Sequence, residues 1–157
     1  MHNPFRILKL LLHIRRPSRI DDMPVVTDAF WLRKGYDALT FFGTIVTATN
    51  ELALRMDRKK DFLKNHEMIH LRQAQSTHDS WLCFYSLYLW YYVRALPMNR
   101  HLRNAAYELN PFEMEAYKHM YDTNYLNQPQ CGSEWRKYAQ MKPCERLRLQ
   151  RQQNGTN

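Results

Sequence analysis

His66-Glu67-Met68-Ile69-His70 is the pentapeptide that most restricts the architectures open to this chain. Two histidines four residues apart lie one above the other when the segment is helical, and their ring nitrogens can then converge on one ion at about 2.0–2.1 Å. Glu67 stands about a third of a turn round the same helix, where a carboxylate reaches a water on the metal rather than the metal itself. Two ligands from one helix leave such an ion short of protein donors, so a third His, Glu or Asp must come from another element. The chain must therefore fold back onto its own histidine helix. The alternative is a pair of core or surface histidines, in a chain that has seven.

The flanking sequence supports the helix. Residues 57–75 contain no Pro or Gly, offer Asp57 or Asp61 as N-cap, and place Phe62, Leu63, His66, Ile69, His70 and Gln73 on one side. Ahead of it, residues 40–56 change to a period of two. Thr44 and Val46 alternate with Ile45 and Thr47, and after Thr49-Asn50 the residues Leu52, Leu54 and Met56 alternate with Glu51, Ala53 and Arg55, which predicts a β-hairpin turning at the Asn. An exposed strand edge there would let an extended peptide add as a further strand; an ordinary small sheet is the plainer reading.

Residues 80–96 are apolar nearly all the way round, from Trp81 through Tyr92 and Val93, and Pro97 closes the run. It falls short of the roughly 20 residues of a bilayer span, so it predicts a central core helix, with contact at a membrane interface as the second reading. Asn110 as cap, Pro111 at the first helical position and Glu113 three residues past the cap predict another helix to about Tyr121. Ser133 is then expected to cap a last basic helix that Pro143 interrupts.

With 157 residues, 45% of them hydrophobic and 13% aromatic, the chain reads as one domain with ample core material. Cys83, Cys131 and Cys144 are odd in number and lack CxxC spacing, which argues against a disulfide framework or a cysteine metal site and fits a reducing compartment. The net charge of +8 is carried near the ends, by Arg6, Lys9, Arg15, Arg16 and Arg19 and again from Arg136 to Arg151. Such a balance favours acidic partners but says nothing of reaction. No nucleic-acid-binding signature is present. Residues 5–16 predict a basic amphipathic helix able to lie on an anionic membrane surface or to dock on protein, and no cleavable signal peptide is read. The expected organisation is a basic arm and linker over residues 1–24, a domain over 25–151 and a disordered tail over 152–157.

Candidates for the third ligand are Glu113, Glu115, Glu108, His78 and His101. Glu113 could instead close a capping box on Asn110, while Glu115 points about 160° to 200° away from it and suits a pair with His119. The stretch Asn65 to Gln73, then the aromatic helix, then Asn110-Pro111-Phe112-Glu113-Met114-Glu115-Ala116-Tyr117 resembles the gluzincin metallopeptidases, and is similar to a group of short uncharacterised bacterial zinc-peptidase-like proteins. The resemblance covers about residues 40–138. It implies a zincin-like α+β domain, mainly helical, with the hairpin ahead of the histidine helix; Zn2+ held by His66, His70 and Glu113; and Glu67 as general base.

One departure concerns the residue after Ala116. Many gluzincins carry Asp there, to orient a ligand histidine, whereas this chain has Tyr117. Tyr107, Tyr117 and His119 are the candidates for stabilising an oxyanion.

The expected activity is zinc-dependent hydrolysis of a peptide or protein substrate. Two alternatives stand beside it: a non-catalytic, zinc-stabilised binding or structural protein, and an interaction protein attached to a membrane surface by its basic N-terminus. Mn, Co or Ni could occupy the same donors. The expected location is cytoplasmic, with peripheral attachment to the inner face of the membrane as an option.

Overall fold

The computed structural model describes residues 25–26, 37–56 and 61–154. The architecture is α+β and mainly helical, with one small sheet ahead of the helices. The amphipathic segment expected over residues 5–16, the linker to residue 24, most of the 31–39 stretch, Asp57 and residues 155–157 lie outside the described residues.

Strand β1 (Val25–Val26) runs parallel to β3 (Thr44–Thr47), and β2 (Ala38–Phe41) runs antiparallel to β3, giving the order β1-β3-β2. The β2–β3 turn is Phe42-Gly43, both with positive φ (46° and 82°), a type I′ geometry whose twist matches that of the strands. A bulky residue seldom takes positive φ. Here the Phe42 ring is held by Phe41, Tyr85 and Trp81, at centroid distances of 4.8, 5.0 and 6.4 Å.

The hairpin expected over residues 40–56 is therefore shifted. Its second arm is Thr44–Thr47, and the supposed strand of Leu52, Leu54 and Met56 is helix α1 (Asn50–Met56). Glu, Leu, Ala, Arg and Met are strong helix formers without β-branches. Thr49 caps them by accepting from Leu52 N–H at 3.2 Å, and Ala53 and Met56 turn one face inward.

Helix α2 (Phe62–Ser76) starts at Asp61, whose Oδ1 accepts from the backbone N–H of Leu63 and Lys64 at 2.9 and 3.1 Å. Helix α3 (Trp81–Ala95) is capped by Ser80 and passes into a 3₁₀ turn at Leu96–Arg100. It is not buried all round as the sequence predicts. Trp81, Phe84 and Ala95 are buried, while Leu82, Leu89, Trp90 and Val93 are exposed, because the described elements pack against one face of this helix.

Short α4 (Ala105–Glu108) leads to α5 (Pro111–His119), where Asn110 Oδ1 accepts from Phe112 N–H at 3.2 Å. A 3₁₀ turn at Tyr125–Asn127 precedes α6 (Trp135–Ala139) and α7 (Pro143–Asn154). Ser133 does not cap α6. Its hydroxyl donates to Gln130 O at 2.8 Å. Pro143 opens α7 instead of interrupting a helix, since a residue without an N–H is harmless in the first turn, and α7 continues to Asn154.

The principal core joins Ile45, Met56, Met68, Leu71, Trp81, Phe84, Phe112 and Trp135, so the sheet, α2, α3 and α5 share one apolar centre. Helices α2 and α5 run antiparallel across it, and two buried amides pin them. Asn65 Nδ2 donates to the carbonyls of His119, Met120 and Asp122 (3.1, 2.9 and 3.1 Å), and Gln73 Nε2 donates to Phe112 O at 2.9 Å. Gly132 fits against α2 so closely that a Cβ there would overlap the Arg72 backbone, and its φ is +78°.

Candidate metal centre

Asn65 and Gln73 lie at the two ends of the α2–α5 contact, with His66 and His70 between them. This pinning brings Glu113, on the first turn of α5, opposite the histidine pair. His66 Nε2 lies 3.3 Å from Glu113 Oε2, His70 Nε2 lies 3.5 Å from Glu113 Oε1, and the two imidazole Nε2 atoms are 3.2 Å apart. All three side chains are buried, and their ligand-type atoms lie within 4.8 Å of one another. The capping-box alternative for Glu113 is not formed, since its carboxylate faces His66, His70 and Tyr88.

The surroundings fix which imidazole nitrogens face this point. Gln73 Nε2 donates both to Phe112 O and to Glu115 Oε2 (2.9 and 3.0 Å), two groups that only accept. Gln73 Oε1 therefore faces His70 Nδ1, 2.8 Å away, so Nδ1 carries the proton and His70 Nε2 presents a lone pair toward His66 and Glu113. An amide does for His70 what a carboxylate does in many zinc sites, and the carboxylate of Glu115 stands one step further out. Tyr117, at the place where an orienting Asp was sought, sets its ring 4.6 Å from that of His66. His66 Nδ1 is buried without a hydrogen-bond partner. On the far side, Tyr88 on α3 donates to Glu113 Oε1 at 2.7 Å.

These contacts leave Glu113 Oε2 buried with no hydrogen bond, beside His66 Nε2. Buried acceptors packed together out of reach of water are costly unless a cation or protons compensate them. A divalent ion with nitrogen and oxygen preferences fits this donor set. Without an ion, protons must serve. Burial opposes a charged His66, but contact with Glu113 and the charges of Glu113 and Glu67 outweigh it and raise its pKa above the ordinary 6.5. Burial likewise opposes a charged Glu113, yet the charge of His70, the contact and charge of His66 and the Tyr88 hydrogen bond bring it down to about 2.

Glu67 is buried on the hairpin side of α2. Thr40, on β2, donates its hydroxyl to Glu67 Oε2 at 2.6 Å and lies 3.0 Å from the Glu67 carbonyl. Thr40 is itself held by Tyr85, whose hydroxyl donates to Thr40 O at 2.9 Å and accepts from Phe42 N–H at 3.2 Å. The register turns the Thr40 carbonyl away from β3. The Tyr85 hydroxyl thus occupies part of the strand edge that an added peptide would use.

The remaining ligand candidates are elsewhere. Glu115 accepts from Gln73 Nε2, Tyr125 OH (2.9 Å), Gly132 N–H (2.7 Å) and Trp135 N–H (2.9 Å), so it is a structural carboxylate tying α2, α5 and α6 together. His119, expected to pair with Glu115, instead meets Glu134 Oε2 at 2.8 Å and stacks on Tyr125. That contact takes it out of the oxyanion candidates. Glu108 accepts from Gln150 Nε2, and His101 accepts from Arg100 Nε. His78 is exposed at the end of α2. Tyr107 and Tyr117 remain near the site, 3.4 Å apart at their hydroxyls, and burial together with the charge of Glu113 raises both phenols, so they stay protonated donors.

Sequence reasoning gave no role to Gln73, Asn65 or Tyr88. The available signal was weak: two amides on the same side of α2 as the histidines, in a helix interior where such residues gain little unless they bond to something. All three cysteines are free. Among the described residues, no helix is long and apolar enough to cross a membrane.

Searches of protein-family models, curated proteins and solved structures found no match to this chain.

Proposed function

We propose that this is a zinc-dependent metallopeptidase of zincin-like architecture, with His66, His70 and Glu113 as metal ligands and Glu67 as general base. The observation that carries the reading is the convergence of two Nε2 atoms from α2 with a carboxylate from α5, buried and short of hydrogen bonds, beside Glu67 on the histidine helix. When bound, zinc supplies the Lewis acidity that brings the ionisation of water near neutral pH and polarises a carbonyl. Glu67 takes the proton of the attacking water and passes it to the leaving amine. The Thr40 hydroxyl holds one oxygen of that carboxylate, which fixes its direction from α2. Tyr107 and Tyr117 are neutral hydrogen-bond donors suited to a developing oxyanion.

The test is the Glu67→Gln protein loaded with zinc and assayed on a peptide library. Metal content is expected to stay stoichiometric while hydrolysis falls about 10²–10⁴-fold. Full activity in Glu67→Gln would reject the assignment, as would zinc retained by both His66→Ala and Glu113→Ala.

A second reading is supported by the burial of His66, Glu67, His70 and Glu113 alike. In it the metal only ties α2 to α5. A structural site predicts a large loss of thermal stability on chelation, four protein or fixed donors by X-ray absorption, and no hydrolysis by the wild-type protein.

A further inference from the structure

Helix α3 carries a surface that has no part in the metal centre. At 100° per residue, Leu82, Ser86, Leu89, Trp90 and Val93 fall within an arc of about 100°, and all are exposed. Leu82 is 78% exposed, Leu89 61%, Trp90 56% and Val93 49%. Leu96, also exposed, continues the apolar surface into the 3₁₀ turn. Single exposed apolar residues are ordinary, but a continuous stripe of large ones marks a contact surface.

Charge indicates what this surface meets. From Trp81 to Tyr107 the chain has no Asp or Glu, while Arg94, Arg100 and Arg103 are exposed at the C-terminal end of the stripe. A second copy of this chain would bring another +8 against this basic edge, whereas an anionic layer with an apolar interior complements both parts. A leucine and tryptophan face edged by arginines is the composition of helices that lie in the plane of a membrane interface. Fifteen residues of α3 rise roughly 22 Å, less than the ~30 Å hydrocarbon core, so the helix can lie on a bilayer but not cross it.

We infer that the exposed face of α3 docks on an anionic phospholipid surface, with Leu82, Leu89, Trp90 and Val93 entering the acyl boundary and Arg94, Arg100 and Arg103 meeting headgroup phosphates. The metal centre is on the opposite side of α3, where Tyr88 reaches Glu113. Docking would therefore leave the helix contacts around the triad in place.

The test uses the full chain, sedimented with vesicles of phosphatidylglycerol and phosphatidylcholine or of phosphatidylcholine alone. Binding is expected to the anionic vesicles and to weaken with salt. The Leu82→Gln/Leu89→Gln/Val93→Gln protein should lose at least about tenfold in partitioning while keeping the wild-type circular dichroism. The Arg94→Gln/Arg100→Gln/Arg103→Gln protein should show a weaker preference for anionic vesicles than wild type, and an unchanged preference would overturn the headgroup contacts. Quenching of tryptophan emission by brominated lipid should fall in Trp90→Phe, and unchanged quenching would overturn the insertion of Trp90. The inference is overturned if wild-type protein does not sediment with anionic vesicles. It is also overturned if the leucine and valine variant partitions as well as wild type, which would place binding in the basic residues 5–16. A stripe-dependent dimer in ultracentrifugation, without vesicle binding, would assign the face to a second copy.

Discussion

Gln73→Met isolates the contact that sets the tautomer of His70. In the wild-type protein, Gln73 Oε1 accepts from His70 Nδ1 at 2.8 Å, and Gln73 is held in that orientation by Phe112 O and Glu115 Oε2. Met has similar length and no donor or acceptor of comparable strength, so the side chain still fills its fully buried place. The ring of His70 would then be free to present either nitrogen. Loss of such an orienting partner costs about 10–100-fold in metal affinity, which is roughly 1.4–2.7 kcal/mol. Separately, removing one donor from Glu115 costs about 1–3 kcal/mol of folding stability. Three donors remain on that carboxylate, so the variant should fold. Zinc affinity, measured by competition with a chromophoric chelator well below the melting temperature, separates the two effects. Wild-type affinity in a folded Gln73→Met protein would refute the argument that this amide selects the ligating nitrogen.

The metal-free protein should be most stable between about pH 4.5 and 6.5. His66 is raised above 6.5, so its contribution is complete below that pH and is lost as pH rises through the folded value; Glu113 is lowered to about 2, so its contribution is complete above about 4.5 and is lost on acidification. Melting temperatures from pH 3 to 9 would show this. The reasoning fails if Glu113→Gln has the same profile. Zinc affinity should run the other way and rise with pH, because the imidazoles must be neutral to bind. Gly132→Ala is expected to cost about 3 kcal/mol or more, since φ is +78° and the new methyl would overlap the Arg72 backbone. An unchanged urea midpoint would contradict that close approach.

Local signals explain what the amino-acid order made legible. Asp61 and Asn110-Pro111 start α2 and α5 because each cap bonds to backbone within a few residues of itself. Residues 50–56 are the exception. There, alternating Leu52, Leu54 and Met56 imitated a strand, while helix propensity and the Thr49 cap favoured a helix. The turn lies at Phe42-Gly43, where the glycine supplies the positive φ, and not at Asn50, which opens α1. Pro143, expected to interrupt a helix, suits the first turn of one instead.

The amino-acid order alone determined that His66 and His70 share a helix face with Glu67 beside them, because four-residue spacing and helical pitch require nothing from the rest of the molecule. Tertiary structure decided which acid meets them. Glu113 and Glu115 sit on the same short helix, and only the antiparallel pinning by Asn65 and Gln73 turns the first toward the imidazoles and the second toward Gly132 and Trp135. It also decided which side of the largely apolar α3 the described elements bury. A sequence that is hydrophobic in every direction cannot specify its own buried face; the elements packed against it do.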